Sequence, residues 1–179
     1  NSLSALSPRL AAEWHPSLNG KLTPNDVTSG TSQKVWWKCD KGDDHEWEAS
    51  VNKRFNGKGC AVCNGKKVVL SNSFGRLNPE IAREWHPSLN EESTPFDFTV
   101  RSGKKVWWRC DKGDDHEWEA SVAHRSNGRG CPVCAGLKVV DSNSLAVINP
   151  EIAKEWHPTL NGDLTPNDVT SGTQKKAWW

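Results

Sequence analysis

Residues 39–51 read CDKGDDHEWEASV, and residues 110–122 repeat them letter for letter. Each copy is followed by a CxxC pair, Cys60-Ala61-Val62-Cys63 in the first case and Cys131-Pro132-Val133-Cys134 in the second. The result is one spacing used twice, Cys39-x5-His45-x14-Cys60-x2-Cys63 and Cys110-x5-His116-x14-Cys131-x2-Cys134. Three thiols and one imidazole form a complete tetrahedral ligand set for zinc. Disulfide pairing fails on arithmetic, because three cysteines per block leave one thiol over in each. Two zinc ions, one per complete block, are therefore expected.

Composition agrees with small metal-stabilised units. Hydrophobic residues make up 35% of the 179, low for one large core. No apolar run is long enough to span a bilayer and no signal-peptide core is present, which argues against a membrane partner. Reduced cysteines used as metal ligands point to a reducing, intracellular and so cytoplasmic setting. The net charge of +1 gives no global attraction for nucleic acid, so any such function must rest on local patches.

Around the ligands the chain repeats with a displacement of 71 positions, from Asn1-Ser2-Leu3 to Asn72-Ser73-Phe74 and Asn143-Ser144-Leu145. Trp14-His15-Pro16 recurs at Trp85 and Trp156. The periodic boundaries are 1–71, 72–142 and 143–179, the third unit lacking zinc ligands and ending at Trp178-Trp179. With no methionine anywhere, the sequence reads as a piece of a longer reading frame.

Within a unit, the first part reads as a short helix. Asn78 stands at its N-cap, Pro79 at its first position and Glu80 in its first turn, with Ile81, Ala82 and Trp85 on one face and Pro87 beyond the end. Ser7-Pro8 and Asn149-Pro150 start the same helix in the other units. Thr23-Pro24-Asn25-Asp26 reads as a capped turn, repeated at Thr94–Asp97 and Thr165–Asp168. Val35–Cys39 then reads as a strand with Val35, Trp37 and Cys39 on one face. His45–Val51 reads as its partner, with Trp47, Ala49 and Val51 inward. Glycines around the CxxC let backbone amides turn toward the thiolates, and Lys66–Val69 suggests a third short strand.

The composite of N-S-L, E-W-H-P, L-T-P-x-D-V-T, W-W-x-C, H-E-W-E-A and G-x-G-C-x-V-C resembles a zinc-ribbon, treble-clef-like family of tandem repeats over the whole chain. The resemblance implies bacterial arrays of small zinc modules, some linked to endonuclease domains, with a role in DNA recognition. Family members usually have a shorter turn between the first cysteine and the histidine, and here Asp43-Asp44 lengthens it. The expected fold is thus a small, metal-stabilised α+β array of zinc-ribbon or treble-clef-like modules, each with a short preceding helix and a β-hairpin. A helix after the CxxC would decide for the treble clef.

Four protein ligands close a zinc site, which makes it structural rather than catalytic. No catalytic residue is expected, since His15, His86 and His157 have no nucleophile or second carboxylate at a useful spacing and suit helix C-termini. His124 stands where the first unit has Lys53 and belongs at the surface. The acids of the Asp40–Asp44 turn diverge and read as solvated rather than as a magnesium site. Trp14, Trp37 and Trp47 fit a miniature core, whereas Trp36 and Trp107 either pack on the helix or form exposed stacking platforms. Lys53, Arg54, Lys58, Lys66 and Lys67 surround the first CxxC, and Arg125, Arg129 and Lys138 the second. These residues either neutralise the zinc centre or, with Trp36 and Trp107, contact nucleic acid. The function expected is nucleic-acid binding, to double-stranded DNA, as a targeting segment of a larger protein that could carry a nuclease domain. No small-molecule substrate is implied. The rivals are a protein-interaction scaffold and a structural accessory to a nuclease.

Overall fold

The computed structural model describes all of residues 1–179. Each repeat opens with two one-turn helices, α1 (Leu3–Leu6) and α2 (Pro8–Ala11) in the first. The first turn was not foreseen from the sequence. Its signal is Ser2, whose hydroxyl accepts from the Ala5 N–H as an N-cap. The second is the expected helix, with Pro8 at its first position.

A two-stranded antiparallel hairpin follows, β1 (Lys34–Lys38) and β2 (Glu46–Ser50), in a register that sets Trp37 opposite Trp47 and Lys38 opposite Glu46. Val51 is inward as expected, but it starts a helix, α3 (Val51–Phe55), instead of ending the strand. The third strand expected at Lys66–Val69 does not form. Asn72 holds that stretch in an irregular conformation by donating to Val62 O and Lys67 O and accepting from the Val69 N–H. After Cys63 there is a single hydrogen-bonded turn, Asn64 N–H to Cys60 O and Gly65 N–H to Val62 O, which Gly65 leaves at φ +65°. The helix of the module therefore lies between hairpin and CxxC rather than directly after it.

The pattern returns as α4 (Phe74–Leu77), α5 (Pro79–Ala82), β3 (Lys105–Arg109), β4 (Glu117–Ser121) and α6 (Val122–Ser126), then as α7 (Leu145–Ile148) and α8 (Pro150–Ala153). Asn149 occupies the N-cap position of α8, yet its side chain makes no capping bond. Side-chain caps stand on the preceding helices instead, Ser73 on α4 and Ser144 on α7. The Thr-Pro-x-Asp turns form as expected. The Thr94 hydroxyl accepts from Phe96 N–H, and Asp97 accepts from both the N–H and the hydroxyl of Thr94 at 2.7 Å. Those bonds hold the carboxyls of Asp26, Asp97 and Asp168 below the usual range.

Two compact units result, Asn1–Pro79 with Thr94–Arg101, and Glu80–Ser93 with Ser102–Trp179. They do not follow the periodic boundaries, because α4 and the Thr94–Asp97 turn fold into the first unit, where Phe74 N–H donates to Phe98 O. The first unit's hairpin is cored by Leu3, Leu10, Val27, Val35, Trp37, Trp47, Val51 and Val62. Trp37 is fully buried, donates its indole N–H to Ala49 O at 2.9 Å, and meets Trp14 edge-on at 5.4 Å between ring centroids. Burying one such indole stabilises by roughly 5 kcal/mol as an upper bound. Trp85 and Trp108 repeat the pair in the second unit, also at 5.4 Å.

Candidate metal centre

Each hairpin delivers the first two ligands and each CxxC turn the last two. Cys39 leaves the end of β1, the five-residue turn carries the chain back, and Cys39 N–H donates to His45 O. That bond places thiol and imidazole on the same side of the turn. Arg54 then fixes the second pair, because its guanidinium donates to the carbonyl of Lys58, two residues before Cys60.

In the first unit, His45 Nδ1 lies 3.3, 3.9 and 3.4 Å from the sulfurs of Cys39, Cys60 and Cys63, and the Cys39 and Cys63 sulfurs are 3.7 Å apart. In the second, His116 Nδ1 lies 3.3, 3.7 and 3.3 Å from Cys110, Cys131 and Cys134, with Cys110 and Cys134 at 3.6 Å. A zinc tetrahedron with ordinary bond lengths has S···S edges of about 3.8 Å and S···N edges of about 3.5 Å. The eight expected ligands thus meet in two groups of the right size for zinc, and Nδ1, the nitrogen facing the sulfurs, would be the ligand atom in both. Three ligands of each site are buried, while Cys63 and Cys134 reach the surface. Burial pushes the thiols of Cys39 and Cys110 up to about 12, opposed in part by the main-chain N–H of Lys41 and Lys112 beside each sulfur. A cation in the centre is what makes thiolates favourable there.

The lengthened turn has a use that sequence reading missed. Asp44 is not merely solvated, since it accepts the N–H and the hydroxyl of Ser71 at 2.9 and 2.7 Å. Asp115 and Ser142 repeat the contact with the same distances, and Ser142 Oγ is also 3.3 Å from His116 Nε2. With Nδ1 as the ligand atom, Nε2 carries the proton and donates to Ser142, whose own proton goes to Asp115. This carboxylate–hydroxyl–imidazole chain fixes the tautomer and the ring plane. Both bonds hold the carboxyls of Asp44 and Asp115 below the usual range. Replacing Ser142 by Ala is expected to weaken zinc binding at the second site about 10-fold or more, measured by competition with a chromophoric chelator.

Gly42 carries a further constraint. A Cβ there would come within 2.7 Å of the His45 ring, and one at Gly113 within 2.7 Å of the His116 ring. Gly42→Ala is therefore expected to displace the imidazole and lower zinc affinity at the first site by at least 10-fold, with the second site unchanged in the same titration.

The histidines of the E-W-H-P motif prove structural, though differently from the helix-terminal role expected. Nδ1 of His15 accepts the N–H groups of Ser17 and Leu18, and Nε2 faces Glu46 at 3.1 Å. His86 repeats this with Glu117 at 2.9 Å. Each ring so ties the end of the helical part to the hairpin. His15 and Lys38 together lower the Glu46 carboxyl.

Among the residues read as nucleic-acid contacts, two need correction. Arg54 and Arg125 are only 6% and 4% exposed. The Arg54 guanidinium lies between the rings of Trp37 and Trp47, 5.2 and 5.0 Å from their centroids, and pairs with Glu13. Arg125 does the same with Trp108, Trp118 and Glu84. Held in this way, with Nε buried and without a hydrogen-bond partner, each guanidinium is largely withdrawn from solvent and is not an exposed phosphate contact. Lys53, Lys58, Lys66, Lys67, Arg129, Lys138 and His124 are exposed. Lys53, Lys58 and Lys66 line one shallow groove of about 170 Å³ with Asn64, Gly59, Ala61, Glu48 and the edges of Trp47 and Arg54. Trp36 is half-buried with the Lys67 ammonium 5.8 Å from its ring centroid, and Trp107 is 37% exposed. No helix is long and apolar enough to cross a membrane.

Comparison with curated proteins finds no match. The sequence profile of the family described as "Probable Treble clef zinc finger domain" matches three times, over residues 10–66, 81–137 and 152–179. The first two matches each span one complete ligand set, and the description names a treble clef even though the module's helix precedes the CxxC and a turn follows it. With ligand geometry and profile in agreement over most of its length, the chain belongs to this treble clef zinc finger family.

Proposed function

We propose that the chain is a zinc-stabilised nucleic-acid-binding segment, suited to double-stranded DNA and serving to place a larger protein on its target. The observation that carries this reading is the first unit's groove, where three exposed lysines converge beside the zinc knuckle in a chain whose net charge is only +1. Converging ammonium groups next to a rigid backbone turn suit phosphate oxygens, and the zinc holds that turn in shape. Trp36, half-exposed under Lys67, extends the same edge with an aromatic face. The zinc centres take a structural and not a catalytic part, since four protein ligands leave no position for a reacting water. Reduced thiols of this kind belong in a reducing compartment.

Fluorescence anisotropy with a labelled duplex tests this. Affinity is expected to fall as salt rises, by roughly 0.9 log units per log unit of salt for each phosphate neutralised. Changing Lys53, Lys58 and Lys66 together to alanine should weaken binding and flatten that dependence. Salt-independent binding, or none, would rule out the reading and favour a protein-interaction scaffold.

A further inference from the structure

The two complete repeats share a backbone but not the side chains that line the first repeat's groove, and we infer, resting on the reading above, that they divide the work unequally. In this assignment the first repeat grips the phosphate backbone and the second makes at most one such contact through the corresponding groove. The backbone carrying the groove residues is closely alike in both. Lys58 N–H donates to Lys53 O at 3.0 Å, and Arg129 N–H to His124 O at 3.2 Å. Lys66 N–H donates to Ala61 O and Leu137 N–H to Pro132 O, both at 2.8 Å. Side chains alone therefore make the difference. His124 replaces Lys53, Arg129 replaces Lys58, Ala135 replaces Asn64, and Leu137 replaces Lys66.

Leu137 is 83% exposed, so it points into solvent where the first repeat offers an ammonium group. The acid of the groove is retained, Glu119 standing for Glu48. Three lysines against one glutamate leave the first groove an anion site. One arginine against one glutamate leaves the second without the lysine excess of the first. Because phosphate contacts set position and salt dependence rather than sequence preference, the array anchors by its first repeat and leaves the second knuckle to a weaker, less charged contact.

The test compares salt dependence across variants of the whole chain bound to a short labelled duplex. Cobalt substitution checks that every variant keeps both thiolate-rich sites. Lys53→Ala, Lys58→Ala and Lys66→Ala together are expected to flatten the slope by roughly 2.7, and Arg129→Ala by no more than about 0.9. Leu137→Lys is expected to steepen it by about 0.9, since it rebuilds the missing contact on an existing backbone. Equal flattening by the triple variant and by Arg129→Ala, or an unchanged slope for Leu137→Lys, would overturn the division of work. Absence of salt-dependent binding by the unaltered chain would instead remove the nucleic-acid reading itself, and that result is seen before any variant is made.

Discussion

Removal of zinc is expected to unfold both complete modules. Zinc binding in modules of this size contributes roughly 10–16 kcal/mol near neutral pH, as much as the roughly 5–15 kcal/mol that separates an ordinary domain from its unfolded chain. The hairpins here have two strands each, too few to be stable alone, and the helices before them are single turns. Trp37 and Trp108, with no exposed surface in the folded chain, report the loss directly. Chelation should shift their emission to the red and abolish the near-ultraviolet dichroism, and added zinc should restore both. The dependence on pH follows from the thiols. Burial pushes Cys39 and Cys110 up to about 12 without a cation, so metal and protons compete, and zinc is held less firmly as pH falls. Chelation at pH 5 should therefore need less chelator than at pH 8. A chain that keeps its near-ultraviolet signal without metal would refute this.

Arg54→Ala is expected to be the most destabilising single change among the charged residues. The side chain pairs with Glu13, donates to the carbonyl of Lys58 and fills the space between two buried indoles. Breaking a buried ion pair from one side costs about 3–5 kcal/mol. Because Glu13 is 30% exposed and can be rehydrated, the lower end, about 3 kcal/mol, is expected. Arg54→Lys should recover only part of it, since one ammonium group lacks the planar fork that serves a carboxylate and a carbonyl at once. The urea midpoint of the zinc-loaded chain measures both. A change within about 0.5 kcal/mol for Arg54→Ala would show the sandwich to be energetically idle.

How much of this was legible in the sequence depends on the range of each interaction. The ligand sets were readable because zinc demands fixed residue types at spacings that the repeat displays twice. Strand faces were readable because Val35, Trp37 and Cys39 alternate, and burial follows that alternation. The role of Arg54 was hidden, because its acid lies 41 positions away and a basic residue beside other basic residues reads as surface. Asp44 was hidden for the same reason: its partner Ser71 is 27 positions on, so a turn acid looked merely solvated. The α3 and α6 helices were missed because the hydrophobic alternation of the preceding strand runs on into Val51 and Val122, while the cap at Ser121, whose hydroxyl accepts the His124 N–H, reads as one more strand residue. Side chains with distant partners were thus hidden, and so were the local serine caps that a strand or loop reading absorbs.

Native mass spectrometry of zinc-loaded protein tests the central claim most directly. The unaltered chain should carry two zinc ions, and Cys60→Ser with Cys63→Ser should carry one. The same pair of changes at Cys131 and Cys134 should also leave one, and all four together none. A mass corresponding to other than two ions in the unaltered chain, or an unchanged count in the variants, would contradict it.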